Sequence, residues 1–336
     1  AEDRRPALFT PLWFKIVFEG PTVFETVRIG VSSCLMGRKV RYDGGHKRDA
    51  FLVETFGKFV EWVEVCPEVE VGLGTPREAI RLVRDGDQVR LVGVESATDH
   101  TDRMRRWAAA RVESLAGEAL DGYILKRDSP SCGMERVKVY TLGGMPSREG
   151  RGLFADALIS RLPLLPVEEE GQLADPRLRE HFVERVFAHH RLRAFFSGRW
   201  TAGSLVAFHA AQKLSLLAHS PSGYAALGRL VARAGDMPRA ELRAAYETGY
   251  MRAIAVVATP SRHVNVLQHM AGYFRKAVDE ASRQELAQAI ADYQQGLVPL
   301  IVPITLVRHL VRRCGIEYLA GQVYLEPHPK ELMLEP

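Results

Sequence analysis

Two kinds of apolar spacing alternate along residues 27–161, and this limits the possible folds more than any other feature. Short, β-branched runs occur at 27–33 (VRIGVSS), 61–65 (EWVEV), 89–94 (VRLVGV), 121–126 (DGYILK) and 137–141 (VKVYT). Helix-like stretches fall at 49–58, 76–84, 100–116 and 153–161. Strands that alternate with helices need crossover connections, which build a mainly parallel sheet with helices on its faces. "TPRE" reads as a helix start, with Thr75 as N-cap, Pro76 in the first turn and Glu78 closing a capping box.

The pattern changes after "LPLLPVEEEGQLADPRLRE" (162–180), whose prolines, glycine and Glu triplet read as an exposed connection. Beyond it, runs such as "SLVAFHAAQKLSLLAHS", "RHVNVLQHMAGYFRKAVDEA" and "SRQELAQAIADYQQGL" carry apolar residues at three- and four-residue spacing between Pro, Gly and Ser breaks. The expected fold class is therefore α/β: an N-terminal Rossmann-like domain with a mainly parallel sheet, followed by an all-α domain. The expected boundaries are 1–26 for an appended N-terminal extension, 27–165 for the first domain, 166–183 for a linker and 184–330 for the helical domain.

Charge divides along the same line. Residues 176–336 hold 20 Lys/Arg against 13 Asp/Glu, a balance of +7, and the remainder holds 25 against 28, or −3, consistent with +4 for the whole chain. A basic helical half suits a polyanionic partner such as RNA, and a solvated surface with surplus arginine suits it equally. No run is apolar and long enough for a transmembrane helix. "ALFTPLWFKIVF" near the start is interrupted by Pro11 and Lys15, and no cleavage pattern follows it, so no signal peptide is expected. Four cysteines in 336 residues do not make a disulfide framework, and a reducing cytoplasm is expected.

Three of those cysteines each follow an apolar strand: Cys34 in "VSSCLMG", Cys66 in "VEVCPEVEVGLGTPRE" and Cys132 in "ILKRDSPSCGMERV". In an open parallel sheet the carboxyl ends of the strands line one edge, where ligands bind. Three thiolates converging there suit zinc with a fourth ligand or an iron–sulfur cluster. The paired C-x₂₋₄-C knuckles usual for zinc are absent, which favours iron and sulfide with one iron left open. Buried cysteines also serve as small apolar packing groups, and Cys314 in "RRCGIEY" is read that way.

Polar neighbours supply further chemistry. Glu68 lies two residues past Cys66 and is placed for general acid or base work. Ser129 and Ser131 flank Pro130 and suit either oxyanion stabilisation or turn capping. "KVRYDGGHKR" sets Gly44 and Gly45 among Arg41, Tyr42, Asp43, His46 and Lys47, a composition that suits a phosphate and a stacked base, or a charged hairpin tip. In the helical half, Arg262, Asn265 and His269, followed by Tyr273, recur near one face. They suit RNA contact, or a polar stripe that pins helices together. His219 and Ser220 mark a helix end.

"SSCLMGRKVRYDGGHKR", "VCPEVEVGLGTPRE", "DSPSCG" and "GLFADAL" resemble, in this order, the signature stretches of the DUF523 family, which includes thiouracil desulfidases. "LLAHSPSGYAALGRL", "RHVNVLQHMAGYF", "PLIVPITLVRHL" and "GQVYLEPHP" resemble the DUF1722 domain. The combination is similar to desulfidases that act on 4-thiouridine in tRNA. The resemblance implies a [4Fe-4S] cluster on Cys34, Cys66 and Cys132, with Glu68 as catalytic carboxylate and Ser129 as catalytic serine. The stretch "EVEVGLGTPRE" departs from the glycine pairs and further proline of many members, which leaves substrate preference open. The implied activity is non-redox conversion of 4-thiouridine in tRNA to uridine with release of hydrosulfide. The alternatives are a desulfidase of free thiouracil or thionucleosides, a cluster-dependent tRNA thiolation enzyme, and a non-enzymatic metal-stabilised RNA-binding protein. The expected partner is tRNA or a thiolated nucleoside, without a membrane or an obligate protein partner.

Overall fold

The computed structural model describes residues 26–141 and 145–333. The N-terminal extension expected at 1–26 lies almost wholly outside them. The described chain divides after His190 into two units, each with its own core.

The first unit contains two four-stranded sheets. Its elements in order are β1 (Arg28–Ser32), β2 (Glu61–Val65), α1 (Pro67–Glu70), β3 (Ile80–Asp85), β4 (Gln88–Gly93), α2 (Thr101–Ala116), β5 (Gly122–Leu125), β6 (Val137–Tyr140), β7 (Ser147–Gly150), α3 (Leu153–Arg161) and β8 (Val167–Glu169). The larger helix α4 (Pro176–Ser197) begins in this unit. One sheet has the order β2-β1-β5-β8 and is parallel throughout. Its central strand β1 buries Ile29 and Val31 completely, as a strand covered on both faces must. The second sheet, β4-β3-β6-β7, is mixed: β3 runs parallel to β6, and the other two pairings are antiparallel.

The strands expected at 27–33, 61–65, 89–94, 121–126 and 137–141 and the helices expected at 100–116 and 153–161 all form. Other expectations are corrected. Residues 80–85, read as part of a helix over 76–84, are β3. "RDGDQ" supplies a tight turn at Gly86 (φ +59°), and β3 and β4 pair across it. Glu78 closes no capping box. Its carboxylate accepts from the backbone N–H groups of Glu95 and Ser96, both at 3.0 Å, and so fixes the turn after β4. Residues 49–58 are helical, but as a π-helical turn (Phe51–Thr55) followed by a 3₁₀ turn (Phe56–Lys58).

The stretch read as an exposed linker is built into the sheet. β8 pairs with β5, and each residue of the Glu triplet has a partner. Glu168 meets Arg185 at 3.5 Å, Glu169 accepts from the Met134 N–H at 2.6 Å, and Glu170 pairs with Lys126 while accepting from the Arg127 N–H at 2.7 Å.

The second unit is helical, as its spacing requires. After the end of α4 come α5 (Ala202–Ala211), α6 (Lys213–His219), α7 (Pro221–Ala232), α8 (Arg239–Ile254), α9 (Pro260–Ala271), α10 (Glu280–Gln294), α11 (Ile301–Cys314) and α12 (Glu317–Ala320). Side chains delimit several of them: Thr201 and Ser204 form a capping box on α5, and Ser220, Thr259 and Asp279 cap α7, α9 and α10. Leu214, Leu267, Met270, Phe274, Val307 and Leu310 lie in one core. Cys314 packs beside that core, as expected. Among the described residues, no helix is long and apolar enough to cross a membrane.

Candidate active site

The parallel sheet brings the three strand-end cysteines together. Cys34 lies in a 3₁₀ turn (Ser33–Met36) just past β1. That turn closes at Gly37, whose φ of +90° suits glycine. The segment after it folds back, so that Lys47 N–H donates to the Cys34 carbonyl at 2.9 Å and Asp49 N–H to that of Leu35 at 2.9 Å. Cys66 follows β2 directly and precedes the α1 turn, with Pro67 in that turn's first position. Its Sγ lies 3.9 Å from the Val40 carbonyl.

Cys132 sits on the loop after β5, and two motifs shape that loop. Ser129 Oγ accepts from the N–H groups of Ser131 at 3.2 Å and Cys132 at 3.1 Å. The start of α3 then grips the loop: the Ser131 carbonyl accepts from Phe154 N–H at 3.0 Å and Ala155 N–H at 3.2 Å. A side chain at Gly152 would reach within 2.4 Å of the Ser131 carbonyl oxygen, so the glycine of "GLFADAL" permits this contact.

The thiols are electrostatically coupled. Burial first and the Cys66 side chain second push Cys34 up to about 11, against the opposing charges of Lys126 and Arg41. Cys66 is raised by burial and by Glu68, against the N–H groups at the start of α1 and the Arg77 guanidinium. Cys132 is raised well above the usual thiol range by burial, then by Glu68, while a hydrogen bond with Ser32 and the charges of Cys34 and Cys66 also act on it. Three unbridged thiols in mutual reach suit an electron-poor metal group that takes up their negative charge. Among the described residues, no three His, Cys, Asp or Glu side chains are grouped to hold a single ion. The donor set therefore fits a [4Fe-4S] group.

Beside the thiols, Glu68 is held at both oxygens. Oε2 pairs with Arg77, and Oε1 accepts from Ser131 Oγ at 3.0 Å. The Arg77 side chain is only 6% exposed and that of Glu68 15%. Arg77 Nη1 also donates to the carbonyls of Gly74 at 2.7 Å and Val40 at 3.0 Å, which ties the Cys66 loop to the segment before Arg41. Glu68 and Ser131 thus meet directly. Ser129 supplies the turn contact while retaining its own hydroxyl proton.

Of the residues in "KVRYDGGHKR", Arg41 is half-buried and coupled to Cys34. Tyr42, Asp43, His46 and Lys47 are exposed. Asp43 accepts from Gly45 N–H at 2.9 Å, and the Arg41 guanidinium lies 5.5 Å from the Tyr42 ring centre. In the helical unit, Asn265 and His269 are exposed. Arg262 instead donates to the His219 carbonyl at 2.6 Å and pins α9 to the end of α6. Tyr273, next to His269, stacks on Tyr318 with ring centres 5.3 Å apart.

Sequence reading missed Arg77, Lys126 and Ser32. Arg77 stands inside "TPRE", where the helix-cap pattern masked it. Ser32 and Lys126 stand inside the stretches quoted for the cysteines, but only the pairing of β1 with β5 brings Ser32 Oγ within 3.0 Å of the Lys126 N–H.

The 2-thiouracil desulfurase family model matches residues 29–170, and the model of DUF1722, described as a protein of unknown function, matches 213–329. The uncharacterized protein YbgA of Escherichia coli (strain K12) is 35% identical over 154 residues, which cover 45% of this chain and 89% of that protein. The uncharacterized protein YbbK of Bacillus subtilis (strain 168) is 33% identical over 122 residues, covering 34% of this chain and 78% of that one. A solved structure of the [4Fe-4S]-dependent thiouracil desulfidase TudS is 32% identical, covers 45% of this chain and 95% of its own, and superposes with a TM-score of 0.37.

Proposed function

Because the chain belongs to the 2-thiouracil desulfurase family through residues 29–170 and to the DUF1722 family through 213–329, we propose that it is a [4Fe-4S]-dependent desulfidase that converts 4-thiouridine in tRNA to uridine. The observation that carries this reading is the meeting of three coupled cysteines, the buried Cys34 and Cys132 and the half-buried Cys66, with the Arg77–Glu68–Ser131 chain. Bound by Cys34, Cys66 and Cys132, the cluster supplies a Lewis-acidic iron with a free position for a thiocarbonyl sulfur.

The protein's own groups handle the water. Arg77 holds Glu68 Oε2, which leaves Oε1 to face Ser131 and an attacking water. Glu68 takes the water's proton as oxygen adds to the ring carbon. Ser129, whose oxygen accepts two backbone N–H groups, keeps a hydroxyl proton to donate to the substrate. The C–S bond breaks, sulfur leaves as hydrosulfide carrying the proton that Ser129 gave, and the added hydroxyl returns its remaining proton to Ser129 to stay on the base as carbonyl, with no change in oxidation state. Arg41, Tyr42, Asp43, His46, Lys47 and Ser131 line the substrate's approach.

The helical unit and its basic surplus favour tRNA over a free base, which needs no second unit of this size. Phosphate contacts there offset the few kcal/mol needed to splay a base out of folded RNA. Asn265 and His269 belong to that surface. The cytoplasm, where thiols stay reduced, suits four free cysteines.

The test uses anaerobic protein reconstituted with iron and sulfide, with sulfide release followed on 4-thiouridine-containing tRNA and on free thiouracil. We expect kcat/KM on tRNA to exceed that on the free base by at least about tenfold and to fall steeply with salt. Turnover confined to the free base would replace the substrate. Turnover on neither, with the cluster intact, would remove the desulfidase reading.

A further inference from the structure

Four segments of the helical unit share a two-residue pattern. Leu214, Met270, Phe274 and Leu319 are all buried in its core. The residues just before them are Lys213, His269, Tyr273 and Tyr318. Each core anchor fixes its backbone, and the preceding side chain points elsewhere. His269, Tyr273 and Tyr318 are exposed, and Lys213 is half-buried.

The four side chains meet on one surface. Tyr273, in the turn Gly272–Phe274 after α9, stacks on Tyr318 of α12 with ring planes 18° apart. His269 meets Tyr273 edge-on, with ring centres 5.7 Å apart and planes at 78°. Lys213, at the start of α6, places its Nζ 5.8 Å from the centre of the Tyr318 ring. Among the described residues this ammonium has no carboxylate partner. Tyr273 is 40% exposed and Tyr318 37%, although both belong to turns anchored in the core. Single exposed apolar side chains are ordinary, whereas contiguous ones mark places where something docks.

The chemistry of the patch selects its occupant. Every nucleobase has a π-face that stacks on an aromatic ring, and a cation beside the ring takes the adjoining phosphate. An apolar protein surface would instead desolvate the unpaired ammonium at a cost. The unit also holds 17 Lys/Arg against 10 Asp/Glu over 191–333, a surplus that draws a polyanion.

We propose that Tyr273 and Tyr318 form a stacking platform for an unpaired base of the RNA substrate, with Lys213 and His269 on the adjoining phosphate. This rests on the tRNA reading and deepens it, because the helical unit then holds open nucleotides by their bases as well as the backbone by its charge.

The test is RNA binding by the full chain, followed by fluorescence anisotropy with 4-thiouridine-containing tRNA, a single-stranded RNA and a fully paired duplex. Tyr273→Leu and Tyr318→Leu are each expected to weaken binding of the tRNA and the single strand about tenfold, with melting temperatures unchanged. Duplex binding is expected to stay as in wild type, since paired bases offer no open face. The salt dependence should keep its slope in both Leu variants, because a ring neutralises no phosphate, and should lose about one from that slope in Lys213→Gln. Tyr273→Trp is expected to bind at least as tightly as wild type.

Wild-type affinity of both Leu variants for the single strand, with tRNA still turned over, overturns the platform and leaves the tRNA reading standing. Equal weakening on single strand and duplex overturns it as well. Unchanged RNA binding with loss of self-association in the Leu variants assigns the patch to a second copy of this chain instead. Failure of wild-type protein to bind or turn over tRNA removes the tRNA reading and this inference together.

Discussion

Arg77→Met tests whether the site depends on a buried charge pair. The substitution keeps side-chain length and removes the guanidinium. It leaves the Glu68 carboxylate, 15% exposed, with only the Ser131 hydroxyl as hydrogen-bond partner. Removing one member of a buried ion pair costs about 3–5 kcal/mol, because the remaining charge is stranded. The Gly74 carbonyl belongs to an exposed residue and can turn to water, so its lost bond adds little. A value near about 3 kcal/mol is therefore expected from urea denaturation of wild-type and variant protein. Neutralising the stranded partner should recover part of it: Arg77→Met/Glu68→Gln is expected to be at least about 1 kcal/mol more stable than Arg77→Met. A cost below about 1 kcal/mol for the single variant, or no recovery in the double, would refute the buried-pair reasoning.

Three further outcomes are expected. Gly30→Ala should cost about 3 kcal/mol through overlap with the Tyr123 ring, and most of that cost should vanish in a Tyr123→Leu background; equal cost in both backgrounds would exclude the clash. Ser131→Ala should lower kcat about 100-fold with little loss of stability, whereas Ser129→Ala should lower kcat and also destabilise by about 1 kcal/mol, since two N–H groups lose their acceptor; turnover and melting curves separate the two. Burial lowers His209 to about 4, below its unfolded value near 6.5, so its contribution to stability is complete above pH 6.5 and is lost as pH falls toward 4. The loss is about 3 kcal/mol, and denaturation series at pH 7 and pH 4.5 should show most of it in wild type and not in His209→Gln.

Where local pattern and tertiary use agree, the sequence was legible. Cys34, Cys66 and Cys132 stand at strand ends, and parallel pairing alone brings strand ends to one edge, so their convergence follows from topology. Helix α3 over Leu153–Arg161 and strand β2 over Glu61–Val65 fall where periodicity placed them. The failures come from groups committed elsewhere. Glu78 looks like a capping glutamate until the 95–96 turn claims its carboxylate, and the "DG" turn then makes Ile80–Asp85 a strand. The Glu triplet 168–170 looks solvated because its partners, Arg185, Met134 and Lys126, are remote in sequence or on another strand. Arg77 was hidden for the same reason, since its value lies in Glu68 and two loop carbonyls that no local pattern reveals. Arg262, which suits RNA contact or a stripe that pins helices together, takes the second role through the His219 carbonyl.

The most direct measurement is iron content after anaerobic reconstitution of four single Cys→Ser variants. Cys314, whose Sγ faces the Ala277 carbonyl at 3.7 Å, belongs to the helical unit. Cys314→Ser is expected to retain about four irons per chain, with wild-type absorbance and sulfide release. Cys34→Ser, Cys66→Ser and Cys132→Ser are each expected to lose the cluster and turnover. A requirement for Cys314, or full cluster and turnover without any one of the other three, would contradict the convergence of those three strand-end thiols on one metal group.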